Sequence, residues 1–331
     1  MNNRLPSVTV IIAAKPDQAE IKAVAAARQL DYPPELLEII VARGRQPSVQ
    51  RNTALRAAHG ELVYFLDDDS VAPPDSLRRA ASQFSDSRVQ IVGGPNLCPP
   101  DAPPLEKIFA LVLSSWIAFG PSRARYTTVG KLRDSGEKEL ILCNLVARRE
   151  TMLEHGGFNE ALYPNEENAL MDEIQKSGGR LIYDPELSVH RRPRRSIKSF
   201  AKMLMTYGRG RAEQFRVHPT FGSALNFVPP LFCVYLLALV VLECLPLETS
   251  LAPVKLFAAV PLAIYLTAII LQTLALVPAG GLIRSLLAIP LLLVSHVCYG
   301  LGFWRGLFTK LKSNHGKNKP SVEVVLETIA R

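Results

Sequence analysis

The chain has 331 residues, a formal net charge of +8 and 48% hydrophobic residues. That composition averages two unlike parts, a mixed polar and apolar stretch to about residue 225 and a mostly apolar one from there to Phe308. The first part is ample for one sizeable soluble core. The five cysteines (98, 143, 233, 244 and 298) show no CxxC spacing, which excludes a zinc ribbon or a disulfide frame and reads as small buried hydrophobes in a reducing compartment.

Positive charge is clustered. His190 to Arg195 reads HRRPRR, Tyr207 to Arg211 reads YGRGR, and Lys310 to Lys319 holds four lysines. Beside apolar segments, such clusters point to anionic lipid headgroups on the cytoplasmic side. Nucleic acid is not expected as a partner, because no nucleic-acid motif accompanies them. The apolar run Val8 to Ala14 is too short for a signal-peptide core, so the first domain is expected to stay in the cytoplasm.

In chain order, SVTVIIAA from Ser7 is a short β-branched run suited to a strand buried on both faces. Gln18 to Gln29 has helical spacing, Leu37 to Val41 is a second buried strand, Ser48 to His59 a helix stopped by Gly60, and Leu62 to Leu66 a third strand. Strands alternating with helices predict a doubly wound, mostly parallel sheet. A helix over Pro73 to Phe84, a strand over Val89 to Val92 and a loop at 96–104 follow. Leu105 to Phe119 is apolar but shorter than the roughly 20 residues that cross a bilayer; it is assigned to the membrane interface, with a core helix as the other reading. Arg123 to Lys138 is a candidate mobile loop, Leu140 to Val146 strand-like, Asn165 to Ser177 a helix and Leu181 to Asp184 a late strand.

Ser196 to Phe215 is amphipathic and basic, as a helix lying on a membrane surface would be. Phe227 to Leu245, Leu256 to Val277 and Ser285 to Trp304 each approach the length of a spanning helix. The expected organisation is a first domain over 1–195, an amphipathic helix and linker over 196–225, a membrane region of two to three spans over 226–308, and a basic tail over 309–331. Three crossings would place the lysine-rich tail outside, against the positive-inside tendency. Either the third segment is re-entrant or interfacial, or the rule fails here; the residues alone leave both open.

Asp67-Asp68-Asp69 ends the strand LVYFL. Ligands of open α/β sheets gather beyond the carboxyl ends of strands, and crowded carboxylates repel one another unless a cation neutralises them. Mg²⁺ or Mn²⁺ bridging to a diphosphate supplies that cation, since hard ions take oxygen ligands. A solvated acidic turn is the bland alternative, disfavoured by the buried strand directly before the acids.

SVTVIIAA, LEIIV, QRNTALRAAHGELVYFLDDDSVAPPDSL, VGGP, GGFNEAL, NEEN and YDPELSVH occur in an order that resembles the family 2 glycosyltransferases, whose catalytic domain has the Rossmann-like GT-A fold. GGP and YGRGR are shared with relatives of the succinoglycan glucosyltransferase type. The resemblance implies a nucleotide-sugar donor, UDP-linked by default, held by a DxD motif of Asp67 and Asp69 with Asp68 between. The same resemblance implies that Asp69 is the metal ligand and that the sugar is transferred with inversion. It also implies that Glu167 is the base, with Glu166 beside it, and that Arg51 and Asn52 face the nucleotide. Gly93 and Gly94 either let backbone approach the donor or form a turn.

His190 stands where some relatives supply a histidine to the metal, and is equally placed to be a surface residue. Arg191, Arg192, Arg194 and Arg195 have two candidate partners. One is the departing diphosphate, to which Arg192 and Arg195 are assigned; the other is lipid phosphate. Relatives carry a base-contacting aspartate after the second strand, where this chain has Val41-Ala42-Arg43-Gly44. Processive synthases carry a QxxRW motif absent here, which leaves transfer of one sugar to a lipid-linked acceptor at the cytoplasmic membrane, with a polyprenyl-phosphate sugar synthase and a non-catalytic sensor or scaffold as alternatives.

Overall fold

Residues alternating along a strand face opposite sides of its sheet, and in Val8–Ala14 both sets are apolar. Val8, Val10 and Ile12 join one core and Ile11 the other, so this strand must be covered on both faces. A computed structural model describes residues 4–162, 165–217, 219, 221–245, 252–310 and 323–330. Its elements, in order, are β1 (Val8–Ala14), α1 (Lys22–Arg28), β2 (Leu37–Arg43), α2 (Pro47–Ala57), β3 (Leu62–Asp67), α3 (Ser76–Gln83), β4 (Val89–Gly93) and β5 (Asn96–Leu97). Then come α4 (Pro104–Ser114), α5 (Trp116–Phe119), β6 (Arg133–Asp134), β7 (Asn144–Arg148), α6 (Arg149–Glu154), α7 (Glu166–Lys176), β8 (Arg180–Tyr183) and β9 (Val189–His190). The rest is α8 (Ile197–Val217), α9 (Val228–Cys244), α10 (Ala252–Gly280), α11 (Leu282–Phe308) and β10 (Val325–Thr328).

The chain forms two units. The first comprises Met1–Asp101, Pro121–Arg192 and Lys312–Arg331, the second Ala102–Gly120 and Pro193–Leu311. In the first, a mixed sheet runs β10-β2-β1-β3-β7-β4-β8-β6. β2, β1, β3, β4 and β8 point one way, while β10, β7 and β6 oppose them. Ala23, Ala27, Leu77 and Ala80 of α1 and α3 cover one face. Ala54, Leu55, Leu170 and Ile174 of α2 and α7 cover the other. This is the doubly wound α/β arrangement expected, with β7 inserted antiparallel in the middle.

The division differs from the expected one at two places. The tail assigned to 309–331 ends in β10, which pairs antiparallel with β2, Leu326 opposite Ala42, while the lysines beyond Lys310 lie outside the described residues. Arg43 Nε meets Glu327 Oε1 at 2.7 Å, and Arg28 Nε donates to the Ala330 carbonyl at 3.1 Å. An edge strand left bare invites pairing with other chains, and β10 covers that edge. The segment 102–120, expected within the first domain, belongs to the second unit, where Phe109 of α4 stacks on Phe200 of α8 with centroids 4.4 Å apart.

Among the described residues, the second unit also holds three helices long and apolar enough to cross a membrane, over Ala224–Cys244, Pro253–Gly280 and Leu282–Phe308. α8 has the amphipathic character expected, with Phe200, Leu204 and Ala212 buried and Lys198 and Lys202 exposed. It packs on α11 through glycines. A Cβ on Gly302 would stand 2.1 Å from the Met205 carbonyl and one on Gly208 2.0 Å from that of Tyr299, so the two backbones approach as small-residue helix pairs do.

Removing residues 323–330 deletes the β10 ladder and its ion pair. At about 0.5–1.5 kcal/mol net per hydrogen bond, the loss is on the order of 2 kcal/mol. The apparent Tm of the detergent-solubilised protein is expected to fall by about 4–8 °C. An unchanged Tm in differential scanning fluorimetry refutes a stabilising role for the strand.

Candidate active site

The parallel strands β2, β1 and β3 end side by side, Ala13 level with both Ala42 and Asp67. Their carboxyl ends form the crevice where ligands of such sheets bind. Buried Gln50, on α2, ties two of these ends together, donating to the Ala14 carbonyl at 2.7 Å and to that of Ala42 at 2.6 Å. Arg43 NH1 donates to the Gln18 carbonyl at 2.8 Å and so fixes the loop after β1. The Asp68 carbonyl accepts from Ala23 N at 3.1 Å, which anchors the acidic run to α1.

Two arginines neutralise those acids. Arg51, one position after Gln50 on α2, puts NH2 2.8 Å from Asp67 Oδ1 and NH1 3.3 Å from Glu166 Oε1. Arg191 takes the other side, with NH1 2.9 Å from Asp67 Oδ2 and Nε 2.5 Å from Asp69 Oδ1. The last pair is 122 positions apart in the chain, and main-chain pairing brings the two ends together. Val71 N donates to the His190 carbonyl and His190 N to that of Val71, both at 2.9 Å, and Arg191 N donates to the Leu97 carbonyl at 3.0 Å.

Glu166 is 1% exposed. Burial pushes its carboxyl up to about 7, the neighbouring charge of Glu167 adds to the rise, and Arg51 opposes it. Its Oε2 and the Ser48 hydroxyl are both buried, and Ser48 also opposes the rise. Glu167, next on α7, is half-exposed. The first turn of α7 is held from the 123–138 stretch, where Arg125 donates to the side chain of Asn168 and to the Glu137 carbonyl. That stretch, expected as a mobile loop, is thus tied down at Arg125, and again where Arg133 meets Glu139 at 2.7 Å.

Other expected site residues have different work in the fold. Asn52 donates to the Phe158 carbonyl at 2.8 Å and to Glu160 Oε1 at 3.0 Å, and accepts from Phe158 N at 2.8 Å. It clamps the GGFNE loop, with its amide fully used. A Cβ on Gly94 would lie 1.9 Å from the Leu187 carbonyl, and one on Gly93 3.0 Å from that of Asn144. Both glycines let protein backbone approach, with buried Asn144 linking the same loops through the Leu187 carbonyl at 2.6 Å.

Among the described residues, no three His, Cys, Asp or Glu side chains converge as a metal-ligand set. Asp67 and Asp69 are joined through Arg191, and His190 is in β9, bridged to Val71. Of the arginines in HRRPRR it is Arg191 that reaches the acids; Arg192 is exposed in the first unit, and Arg195 belongs to the second. Gln50 and Arg125 were not singled out in the sequence. Gln50 carries a faint signal, a polar residue directly before Arg51 on a helix that must face inward, and Arg125 carries none.

Residues 1–205 match the family described as "Glycosyltransferase like family 2". The chain is similar to the succinoglycan biosynthesis protein ExoA of Rhizobium meliloti (strain 1021), 26% identical over 272 residues that cover 80% of this chain and 75% of the other. It is also similar to the solved structure of the mannosyltransferase PcManGT from Pyrobaculum calidifontis in complex with GDP-Man and Mn²⁺. There the TM-score is 0.52 and the identity 19%, over 92% of this chain and 88% of that one. At that identity the likeness speaks for the fold, and bears out the GT-A architecture.

Two outcomes test the acid–arginine network. Arg51→Met strands the buried Glu166 carboxylate and leaves Asp67 with Arg191, and is expected to cost about 3–5 kcal/mol in denaturant titration, part of which returns when Glu166→Gln is added. Glu166, at about 7 when folded against 4.5 when free, holds its proton more tightly in the native state. The stability this contributes is full below about pH 4.5 and is lost as pH rises through about 7. Wild type is therefore expected to lose stability relative to Glu166→Gln between about pH 5 and pH 8, and parallel curves would contradict the assignment.

Proposed function

The chain belongs to the glycosyltransferase-like family 2, and on that premise we propose that it transfers one sugar, with inversion, from a nucleotide-sugar donor to a hydroxyl of a lipid-linked saccharide. The observation that carries this reading is the bridge from Asp67 through Arg51 to Glu166. It couples acids at the carboxyl edge of the sheet, where a donor diphosphate belongs, to the acids opening α7, where an acceptor's proton must go.

Two carboxylates at one strand end supply the hard oxygen donors that a divalent cation, Mg²⁺ or Mn²⁺, takes, and such a cation would displace Arg191, which now bridges them. Asp69 and Asp67 are the residues that would hold it, with His190 as a further candidate, and its charge would offset that developing on the diphosphate. PcManGT was solved with Mn²⁺ and GDP-Man, which supports this choice of metal class. Arg191 is positioned to exchange its acid partners for diphosphate oxygens, as guanidinium groups pair with phosphate; Arg192 is the next along.

In the transfer, the acceptor oxygen attacks the anomeric carbon and forms the new glycosidic bond. The bond from that carbon to the diphosphate oxygen breaks, the electron pair leaves with the nucleoside diphosphate, and the hydroxyl proton passes to Glu167. Half-exposed Glu167 is the more accessible of the two acids and so the one assigned to meet an acceptor, and buried Glu166, paired with Arg51, positions it. ExoA acts in succinoglycan biosynthesis, which supports an acceptor from exopolysaccharide or other envelope glycan assembly. The arginine-rich stretches beside apolar helices support a catalytic unit on the cytoplasmic face of the inner membrane.

The test is release of nucleoside diphosphate from a panel of UDP- and GDP-sugars by the detergent-solubilised protein, with Mn²⁺ or Mg²⁺ and with or without lipid extract. Turnover of one donor that requires metal and lipid is expected. Asp69→Ala should abolish it, and Glu167→Gln should lower it by about 10²–10⁴-fold. If Glu167→Gln retains full activity, the acceptor is an already ionised phosphate, as in a polyprenyl-phosphate sugar synthase. Nucleotide binding without turnover of any donor would leave a sensor or scaffold.

A further inference from the structure

Four observations fix where the apolar part of the chain goes in, turns and comes out. Phe227, directly before α9, packs on Phe215 of α8 with centroids 4.9 Å apart and on Phe303 of α11 at 4.8 Å. At the end of α11, Arg216 of α8 donates to the Gly306 carbonyl at 3.0 Å and to that of Thr309 at 2.5 Å. The start of α9 and the end of α11 are therefore held together, against one amphipathic helix. The chain then continues into β10, a strand of the catalytic sheet. Both ends of the apolar region lie on one side of a bilayer, so the number of crossings is even.

The turn between α10 and α11 is located by α4 and α5. A Cβ on Gly280 would come 2.2 Å from Leu111 Cδ1. The main chain of Ile117 binds both neighbouring helices, its N–H donating to Gln272 Oε1 at 3.1 Å and its carbonyl accepting from His296 Nε2 at 2.9 Å. The segment carrying α4 and α5 leaves the catalytic unit after Asp101 and rejoins it at Pro121. α4 advances about 16 Å at 1.5 Å per residue, half of a hydrocarbon core about 30 Å thick. A turn seated on that segment stays in the near half of the bilayer or outside it.

α9 and α10 behave differently. Tyr235 Oη donates to the Ala258 carbonyl at 2.7 Å and accepts from Leu262 N at 3.0 Å, and Phe232 meets Tyr265 at 4.4 Å. Residues nearer the connection pair with one another, as in an antiparallel hairpin. Only 11% and 6% of their apolar stretches are buried by protein, against 39% for α11. In α11 the polar groups of Ser285, Ser295 and His296 are buried and bonded to protein.

We propose that the chain crosses the bilayer twice: α9 and α10 are the spanning hairpin, facing lipid, and α11 stays on the catalytic side as the beam on which α4, α8 and the hairpin pack. The lysine-rich tail then returns to the cytoplasm, and the conflict with the positive-inside tendency disappears.

Full-length single-cysteine proteins test this, with the five native cysteines replaced by serine or alanine and donor turnover checked in detergent. Leu245→Cys, Leu282→Cys and Thr309→Cys are exposed to a membrane-impermeant maleimide in sealed spheroplasts and in inverted vesicles. The expected result is label at position 245 from outside only, and at 282 and 309 from inside only. Label at 309 on the side opposite to 282 means a third crossing and overturns the proposal, as does a position 245 labelled from the same side as 282 or not until detergent is added. The inference rests on the cytoplasmic orientation proposed above; reversing that orientation inverts all three labels together, whereas a third crossing moves position 309 alone. Labelling does not depend on transfer, so loss of the enzymatic reading leaves this pattern intact.

Discussion

Carboxylates gathered at the end of a buried strand repel one another, and a fold that places them there must bring counter-charge to them. Here it arrives from two directions. Arg51 comes from α2, inside the stretch that leads into β3, and Arg191 comes from beyond the last parallel strand. Asp67 takes both, one on each oxygen. Removing one partner of such a pair leaves an uncompensated buried charge and costs far more than the intact pair contributes, so the segments that deliver the arginines are themselves constrained. Gln50 sets the start of α2 against β1 and β2, Asn52 fastens the next turn to the GGFNE loop, and Val71 and His190 exchange main-chain hydrogen bonds to seat Arg191.

That dependence explains which parts were legible in the residues. β1, β2 and β3 read clearly because strands covered on both faces become continuous apolar runs, and the DDD phrase read as a site because it follows such a run. β10 did not, since Val325–Thr328 is a short edge strand with a glutamate in it, following a lysine-rich stretch; nothing local distinguishes it from a tail. The antiparallel insertion of β7 is a matter of long-range pairing and leaves no local trace. Leu105 to Phe119 was readable as apolar and too short to span, but its membership of the second unit depends on partners such as Phe200 and His296 that no periodicity names.

Within the site, the acids were easier to read than the groups that hold them. Asp67 and Asp69 stand at the end of β3, Glu166 opens α7, and Arg51 joins the first to the third. Asn52 and Gly94 show the limit of matching a phrase to a role. The side-chain amide of Asn52 is spent on the main chain of Phe158 and the carboxylate of Glu160, and the missing Cβ of Gly94 is needed because the Leu187 carbonyl occupies that space. A residue beside a ligand site is often there to shape its walls, and only the hydrogen-bond partners separate that role from contact with the ligand.

The charge balance of the site follows from the same pairs. Asp67, Asp69 and Glu166 meet two guanidinium groups, and the rise of the Glu166 carboxyl to about 7 relieves part of the remaining negative charge by holding a proton there. A divalent cation held by the two aspartates would compete with Arg191 for them and leave the pair of Arg51 with Glu166 in place. The two arginines then divide the work by position. On the proposed reading Arg191 would turn to the donor, because its partners are the acids that a metal would claim. Arg51 would link that event to α7, because it touches both Asp67 and Glu166. On the proposed reading, a change in charge at the end of β3 would thus reach the acids opening α7 through one buried side chain.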